Sequence, residues 1–313
     1  MIKHRYLSRY LLYFTIAAVF IAMLALPREV RQATLEGVQL VVFRLLPALF
    51  PFMVLSGLVA ESGFADTMGK AFRRKHSNFP PAYNASLILG ILSGFPIGAK
   101  ISAELLSNGT LTSKQAGRLC ALSSLPGPAF VIAFVGSGVL GCTKTGAVIW
   151  LSHLLSFWLF SLLTKEKKTE SKILLSVEKD EISLPALIRC FTKAAESMLS
   201  VGATIVFFTI IARIVQVIFS DLFHNQTVRA GFYGFLELSR GIVAVGEAGL
   251  PTSTAVALAT IITGWGGMAV HAQVAAFAAP AGVPLKDYFR TRLICPPISA
   301  AISVILMVVK GYL

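Results

Sequence analysis

The sequence predicts an all-α, polytopic transmembrane helical protein with broken or re-entrant membrane segments. Three observations predict it. Of 313 residues, 55% are hydrophobic and only 14% are charged, against about 25% charged in a typical soluble domain. Mean hydropathy is +0.74, and apolar runs of the ~20 residues needed to cross a bilayer recur along the chain. Several runs are interrupted by Gly, Pro and Ser, most plainly at Gly90-Ile-Leu-Ser-Gly-Phe-Pro-Ile-Gly-Ala-Lys100. Irregular backbone at membrane depth is tolerated only against protein or a wet cavity, so these interruptions mark places where backbone serves a purpose.

Formal net charge is +13, from 28 Lys+Arg against 15 Asp+Glu. In a soluble protein such an excess points to nucleic acid. Here the charges flank apolar segments, so they read as topology signals and as contacts to anionic lipid head groups. No nucleic-acid partner is expected. Cys120, Cys142, Cys190 and Cys295 are scattered and form no CxxC pair. They read as small apolar filler, with no disulfide framework, metal or cofactor.

Residues 1–30 form an N-terminal transmembrane anchor. Lys3, Arg5 and Arg9 precede the apolar stretch 11–26, which places the N-terminus in the cytoplasm. Residues 37–60 form a second span, kinked by Pro47 and Pro51. Arg44 within it must snorkel or face protein or water. The cluster Lys70-Ala-Phe-Arg-Arg-Lys-His76 is the densest positive segment and is expected in the cytoplasm. Residues 82–106 carry the broken motif with Asn84, Lys100 and Glu104. The last two share a helical face; they read either as a buried ion pair or as solvated groups at an interface. Thr112 or Ser113 caps the next helix.

The apolar stretch 119–140 is broken by Ser123-Ser124-Leu-Pro-Gly-Pro128. Residues 145–163 form a clean span in which His153 reads as packed or hydrogen-bonded rather than as a ligand. A charged linker occupies 164–185. Residues 182–219 read as helix. In 231–250, Glu237 and Arg240 stand at i,i+3 spacing and are expected to pair, and Glu247 lies at a helix end before Pro251. Carboxylates at this depth are functional candidates by default. Residues 253–279 form an apolar run containing Gly264-Trp-Gly-Gly267, followed by His271 and Gln273. After a turn at 280–284 and a basic segment at 286–292, a last span at 293–313 is expected to follow Pro296-Pro297.

The two halves share a plan. Ser-Gly-Phe-Pro-Ile-Gly-Ala-Lys100 can be laid on Thr-Gly-Trp-Gly-Gly-Met-Ala-Val270, each a Gly-aromatic pair followed by small or helix-breaking residues. Paired broken segments point to a central binding site. Backbone amides at half-helix starts would hold a polar or anionic group. The candidate substrate-binding residues are Asn84, Ser93, Gly94, Pro96, Gly98, Lys100, Ser123, Ser124, Thr263, Gly264, His271 and Gln273. Glu237 and Glu247 are candidates for ion or proton coupling. HExxH, GxSxG and P-loop patterns are absent, so no enzyme, catalytic residue or ATP-driven step is expected.

Ser93-Gly-Phe-Pro-Ile-Gly-Ala-Lys100, followed by Leu-Thr-Ser-Lys-Gln-Ala-Gly-Arg-Leu at 111–119, resembles the sporulation integral membrane protein YlbJ family, which carries nucleoside-recognition or Gate domains. The resemblance extends over roughly residues 10 to 310. It implies a multi-pass protein of the bacterial cytoplasmic membrane, with one Gate-like repeat at 31–163, a second at 186–313, and a role in spore cortex formation. Phe95 stands where a tyrosine is expected in many relatives, which removes one hydroxyl. The expected function is transport of a small polar or anionic solute, coupled to protons or cations. The alternative is a non-transporting scaffold or assembly protein required for sporulation. A homo-oligomer is left open.

Overall fold

A computed structural model describes residues 2–62, 81–164 and 184–311. The basic cluster 70–76 and nearly all of the linker 164–185 lie outside the described residues. Among the described residues the chain is helical and without strands. Five of the described helices are long and apolar enough to cross a membrane: Pro27–Val59, Thr143–Leu163, Leu184–Ile218, Thr252–Ala278 and Lys286–Val309. Shorter apolar helices cover Tyr13–Ala25, Ala82–Ser93 and Ala129–Val139.

The first helix, α1 (Ile2–Ala25), exposes Phe14, Phe20 and Leu24, side chains suited to lipid. Helix α2 (Pro27–Gln39) starts on a proline, whose missing N–H costs nothing in a first turn. A π-helical turn, π1 (Leu40–Leu45), leads into α3 (Leu46–Glu61). The expected kink has this form because Pro47 cannot donate to the preceding turn, and the Leu46 N–H reaches back to the Val41 carbonyl.

Helices α4 (Pro81–Ser93) and α5 (Ile97–Ser107) are 13 and 11 residues long. At about 20 and 16 Å they fall short of a ~30 Å hydrocarbon core. They form a hairpin around Ser123, which both Gly90 and Gly98 touch. A Cβ on Gly98 would lie 2.5 Å from the Ser123 Oγ and 2.7 Å from its carbonyl group. That backbone has nowhere to retreat, so Gly98→Ala is expected to cost about 1–3 kcal/mol, measurable as a lowered Tm in detergent.

Of the two expected caps, Thr112 is the one that caps α6 (Ser113–Ser123), in a reciprocal box with Gln115. The Ser124–Pro128 segment then breaks the chain before π2 (Ala129–Val139), and α7 (Thr143–Leu163) follows. The long α8 (Leu184–Ile218) packs against α2 and α3. Helices α9 (Gln226–Leu236) and α10 (Leu238–Glu247) form a second hairpin with Glu237 at its tip. The arms touch at Gly234 and Gly241, where an added Cβ would lie 2.2 Å from the Gly234 Cα. Helices α11 (Thr252–Trp265) and α12 (Gly267–Ala278) make one candidate span, broken at Gly266.

The last helix, α13, runs unbroken over Lys286–Val309, through Pro296 and Pro297. This corrects the expected boundary. The basic segment is not a connection before the span but its first two turns, and Arg292 is buried within it. The halves interlock: α13 packs on α6, α7 and α11, α12 packs on α5, and α10 packs on π2.

Candidate functional site

Both hairpin tips and both helix breaks meet at the centre. Gly94, at the first tip, has φ 75° and approaches Gly127 so closely that an added Cβ would lie 2.5 Å from the Gly127 nitrogen. Gly267, at the second break, has φ 78°, and an added Cβ there would lie 3.0 Å from the Leu238 nitrogen. Backbone meets backbone at both places, which glycine alone permits at these angles.

Between them lies a cavity of about 90 Å³. The first tip contributes Ser93 and Phe95, and the first break Gly127 and Phe130. The second tip contributes Glu237 and Ser239, and α12 contributes Val270 and Gln273. Side chains of α3 and α8, including Met53, Ser56 and Met198, complete the wall. The first turns of π2, α10 and α12 supply Ala129, Ser239 and Ala269, so three positive helix ends abut this space. Glu237 answers one of them. It is 2% exposed, and its carboxylate accepts from the Ser239 N–H at 2.9 Å and the Arg240 N–H at 2.6 Å. It is the N-cap of α10, held in the buried centre by backbone donors.

Behind Phe95 lies the opposite arrangement. Arg292 is 1% exposed and donates to the Gly264 carbonyl at 3.1 Å and to the Ser124 carbonyl. These oxygens belong to the C-terminal ends of α11 and α6, where a cation is favoured. Its guanidinium also lies 5.2 Å from the Phe95 ring centre and 5.0 Å from those of Phe157 and Tyr288, within cation–π range. One side chain thus ties both helix breaks together. The sequence reading missed it as part of a basic segment. The signal was the spacing of Tyr288, Arg292, Cys295, Ser299 and Ser303, which puts them on one buried stripe of α13.

A polar seam continues along that stripe. His153 bonds Thr263 at 2.9 Å and Ser299 at 3.2 Å, Ser156 bonds Ser299 at 2.6 Å, and Thr260 bonds Ser303 at 3.1 Å. These bonds join α7, α11 and α13, and such bonds hold membrane helices together. The hydrogen-bonded reading of His153 agrees with this geometry.

Of the candidate residues, Ser93, Gly94, Glu237 and Gln273 line the central cavity. Others serve its frame. Gly98 packs on Ser123, whose hydroxyl donates to the Leu119 carbonyl. Ser124 and Gly264 accept from Arg292, Thr263 holds His153, and His271 meets the Tyr288 hydroxyl at 2.8 Å. Pro96 is the buried residue before α5, after a cis Phe95–Pro96 bond. Asn84 is half-buried on α4, and Lys100 is exposed on α5.

Glu247 is exposed and lines a separate cavity of about 250 Å³ with Glu36, Arg44 and Arg240. The expected Glu237–Arg240 pairing is corrected here. The Glu237 carboxylate turns to backbone amides, and the Arg240 guanidinium meets Glu36 at 3.3 Å. Glu36 also takes Arg213 at 2.6 Å, linking α2, α8 and the second hairpin. Glu36→Gln is expected to cost about 1 kcal/mol, between the exposed and buried cases, read as a lower Tm that salt reproduces in part.

No family model matches the chain. Over a 302-residue alignment, covering 83% of this chain and 73% of the other, it is 24% identical to the sporulation integral membrane protein YlbJ of Bacillus subtilis (strain 168). The chain is a multi-pass helical membrane protein, similar over most of its length to that sporulation membrane protein.

Proposed function

We propose that the chain transports a small polar or anionic solute across the membrane, with proton or cation coupling through Glu237, and that it acts in sporulation as its relative's name indicates. The observation that carries this reading is the meeting of two hairpin tips and two helix breaks around one cavity with a buried carboxylate in its wall. Broken segments facing each other at mid-membrane are a usual construction for a solute site. The order of long helix, hairpin, broken helix and long helix runs over 27–163 and again over 184–309, which favours two Gate-like repeats.

A non-transporting scaffold is the second reading. It is favoured by the mostly apolar wall, in which Ser56, Ser93, Glu237, Ser239 and Gln273 are the polar side chains. Proteoliposome uptake separates the two. A pool of nucleosides, organic anions, amino acids and metal ions is offered with and without a proton gradient. Saturable uptake is the expected result. A folded sample that takes up none of them, yet captures a sporulation membrane protein, would favour the scaffold.

A further inference from the structure

We propose that four apolar side chains, Leu40, Leu45, Leu238 and Val243, form a septum that closes the central cavity toward one face of the membrane. The cavity stands open toward the other face, and the septum is its gate. Three cavities succeed one another along the span 27–59. Residues between 36 and 44 line the Glu247 cavity, residues between 45 and 56 the central one, and residues between 53 and 57 a further cavity of about 160 Å³. Helix α8 runs antiparallel beside them. An added Cβ on Gly37 would lie 3.0 Å from the Val206 Cα, and one on Gly57 would lie 3.3 Å from the Cys190 sulfur. From 36 to 57 the helical rise is about 30 Å, the thickness of a hydrocarbon core. The row of cavities therefore extends from one face to the other.

Its two joints differ. The further cavity shares Met53, Ser56 and Ser93 with the central one, and exposed Lys100 lines it. Among the described residues, none lines both the central and the Glu247 cavity. Leu45 and Leu238 stand on the central side of that division, Leu40 and Val243 on the other. All four are at most 7% exposed and belong to one core cluster. Such an apolar constriction excludes water and polar solutes. On its outer side Glu36 ties α2 to α10 through Arg240 at 3.3 Å and to α8 through Arg213 at 2.6 Å, which holds the layers together. Leu40 and Leu45 are the first and last residues of π1. A π turn is bonded i to i+5 and carries a surplus residue. Its release would rotate Leu45 against Leu40 by about 100°, parting the septum without melting the helix.

The closure stands apart from the transport reading; its use as a gate rests on that reading. Gln39→Cys, Ser56→Cys and Gln273→Cys are each exposed to a membrane-impermeant maleimide in sealed vesicles of either orientation. Each site is read by mass spectrometry of its own peptide. The cysteine at 39 is expected to react from one face, and those at 56 and 273 from the opposite face, about tenfold or more faster than from the first. Leu45→Ala/Val243→Ala is expected to raise the rate at 273 from the Gln39 face about tenfold or more. Ile149→Ala, which trims an equally buried side chain on α7, leaves that rate unchanged. With the septum intact, a cysteine at 273 that reacts equally from both faces, or one at 56 that does not react, overturns the proposal. So does a folded alanine pair without the increase, or the same increase in Ile149→Ala. Should the alanine pair not fold, the sidedness of the intact septum decides alone. Sided labelling without uptake would sink the transport reading and leave the closure; uptake with equal labelling would do the reverse.

Discussion

Arg292→Met is expected to lower the stability of the folded protein by about 2–5 kcal/mol, the largest effect of any substitution considered. Methionine fills much of the volume and keeps the apolar contacts to Phe95, Phe157 and Tyr288. It leaves the Ser124 and Gly264 carbonyls without their buried donor. Each orphaned acceptor costs about 1–3 kcal/mol where water cannot reach it. The break after α6 and the end of α11 then lose the tie that sets their separation, so uptake should fall together with Tm. Arg292→Lys is the informative companion. It keeps the charge near two negative helix ends, but a single ammonium cannot reproduce the planar fork that spans both carbonyls. An intermediate Tm is expected in thermal unfolding in detergent. A methionine variant as stable as the parent would mean that Arg292 does not hold the two breaks.

The second large effect is expected at Glu237. Glu237→Gln keeps one oxygen to cap α10 and removes the charge. Stability should change by no more than the ~1 kcal/mol of a weakened cap, whereas proton- or cation-coupled uptake should drop about tenfold or more if the carboxylate carries the coupling. Glu237→Ala removes the cap as well, baring the Ser239 and Arg240 N–H groups, and should lower Tm further. The separation of the two readouts is what matters. A purely structural Glu237 predicts that glutamine retains uptake and alanine loses it in step with stability.

Much of the helix plan was legible because its interruptions are chemical. Gly94 and Pro96, the Ser124–Pro128 segment, and Gly266 with Gly267 are places where donors are missing or positive φ is needed, and all became breaks. Thr112, one of the two residues expected to cap the helix after Gly109, announced a helix start by the same local logic. Direction was not legible. The sequence likeness between 93–100 and 263–270 pairs two Gly-aromatic motifs, yet the first turns the chain back as a hairpin and the second interrupts one span. What separates them is tertiary: Gly90 and Gly98 close on Ser123 from the other break.

Ion pairing was equally hidden. Arg240 stands three residues from Glu237, but its partner Glu36 lies 204 residues away, and the nearer carboxylate is drawn to its own helix amides. The prolines at 296 and 297 misled for a different reason. They free the carbonyls one turn earlier, at Arg292 and Leu293, without ending α13. Local rules therefore located the breaks, while long-range contacts decided which breaks share a cavity.

That the meeting point of tips and breaks is a solute-accessible cavity is tested most directly by thiol labelling at Gln273→Cys, in sealed vesicles, with a membrane-impermeant reagent. Leu199→Cys is the control, since Leu199 on α8 is 77% exposed on an apolar surface suited to lipid. The account predicts that the cysteine at 273 reacts while the one at 199 stays inert. A cysteine at 273 as unreactive as the one at 199, from both faces of the membrane, would contradict it.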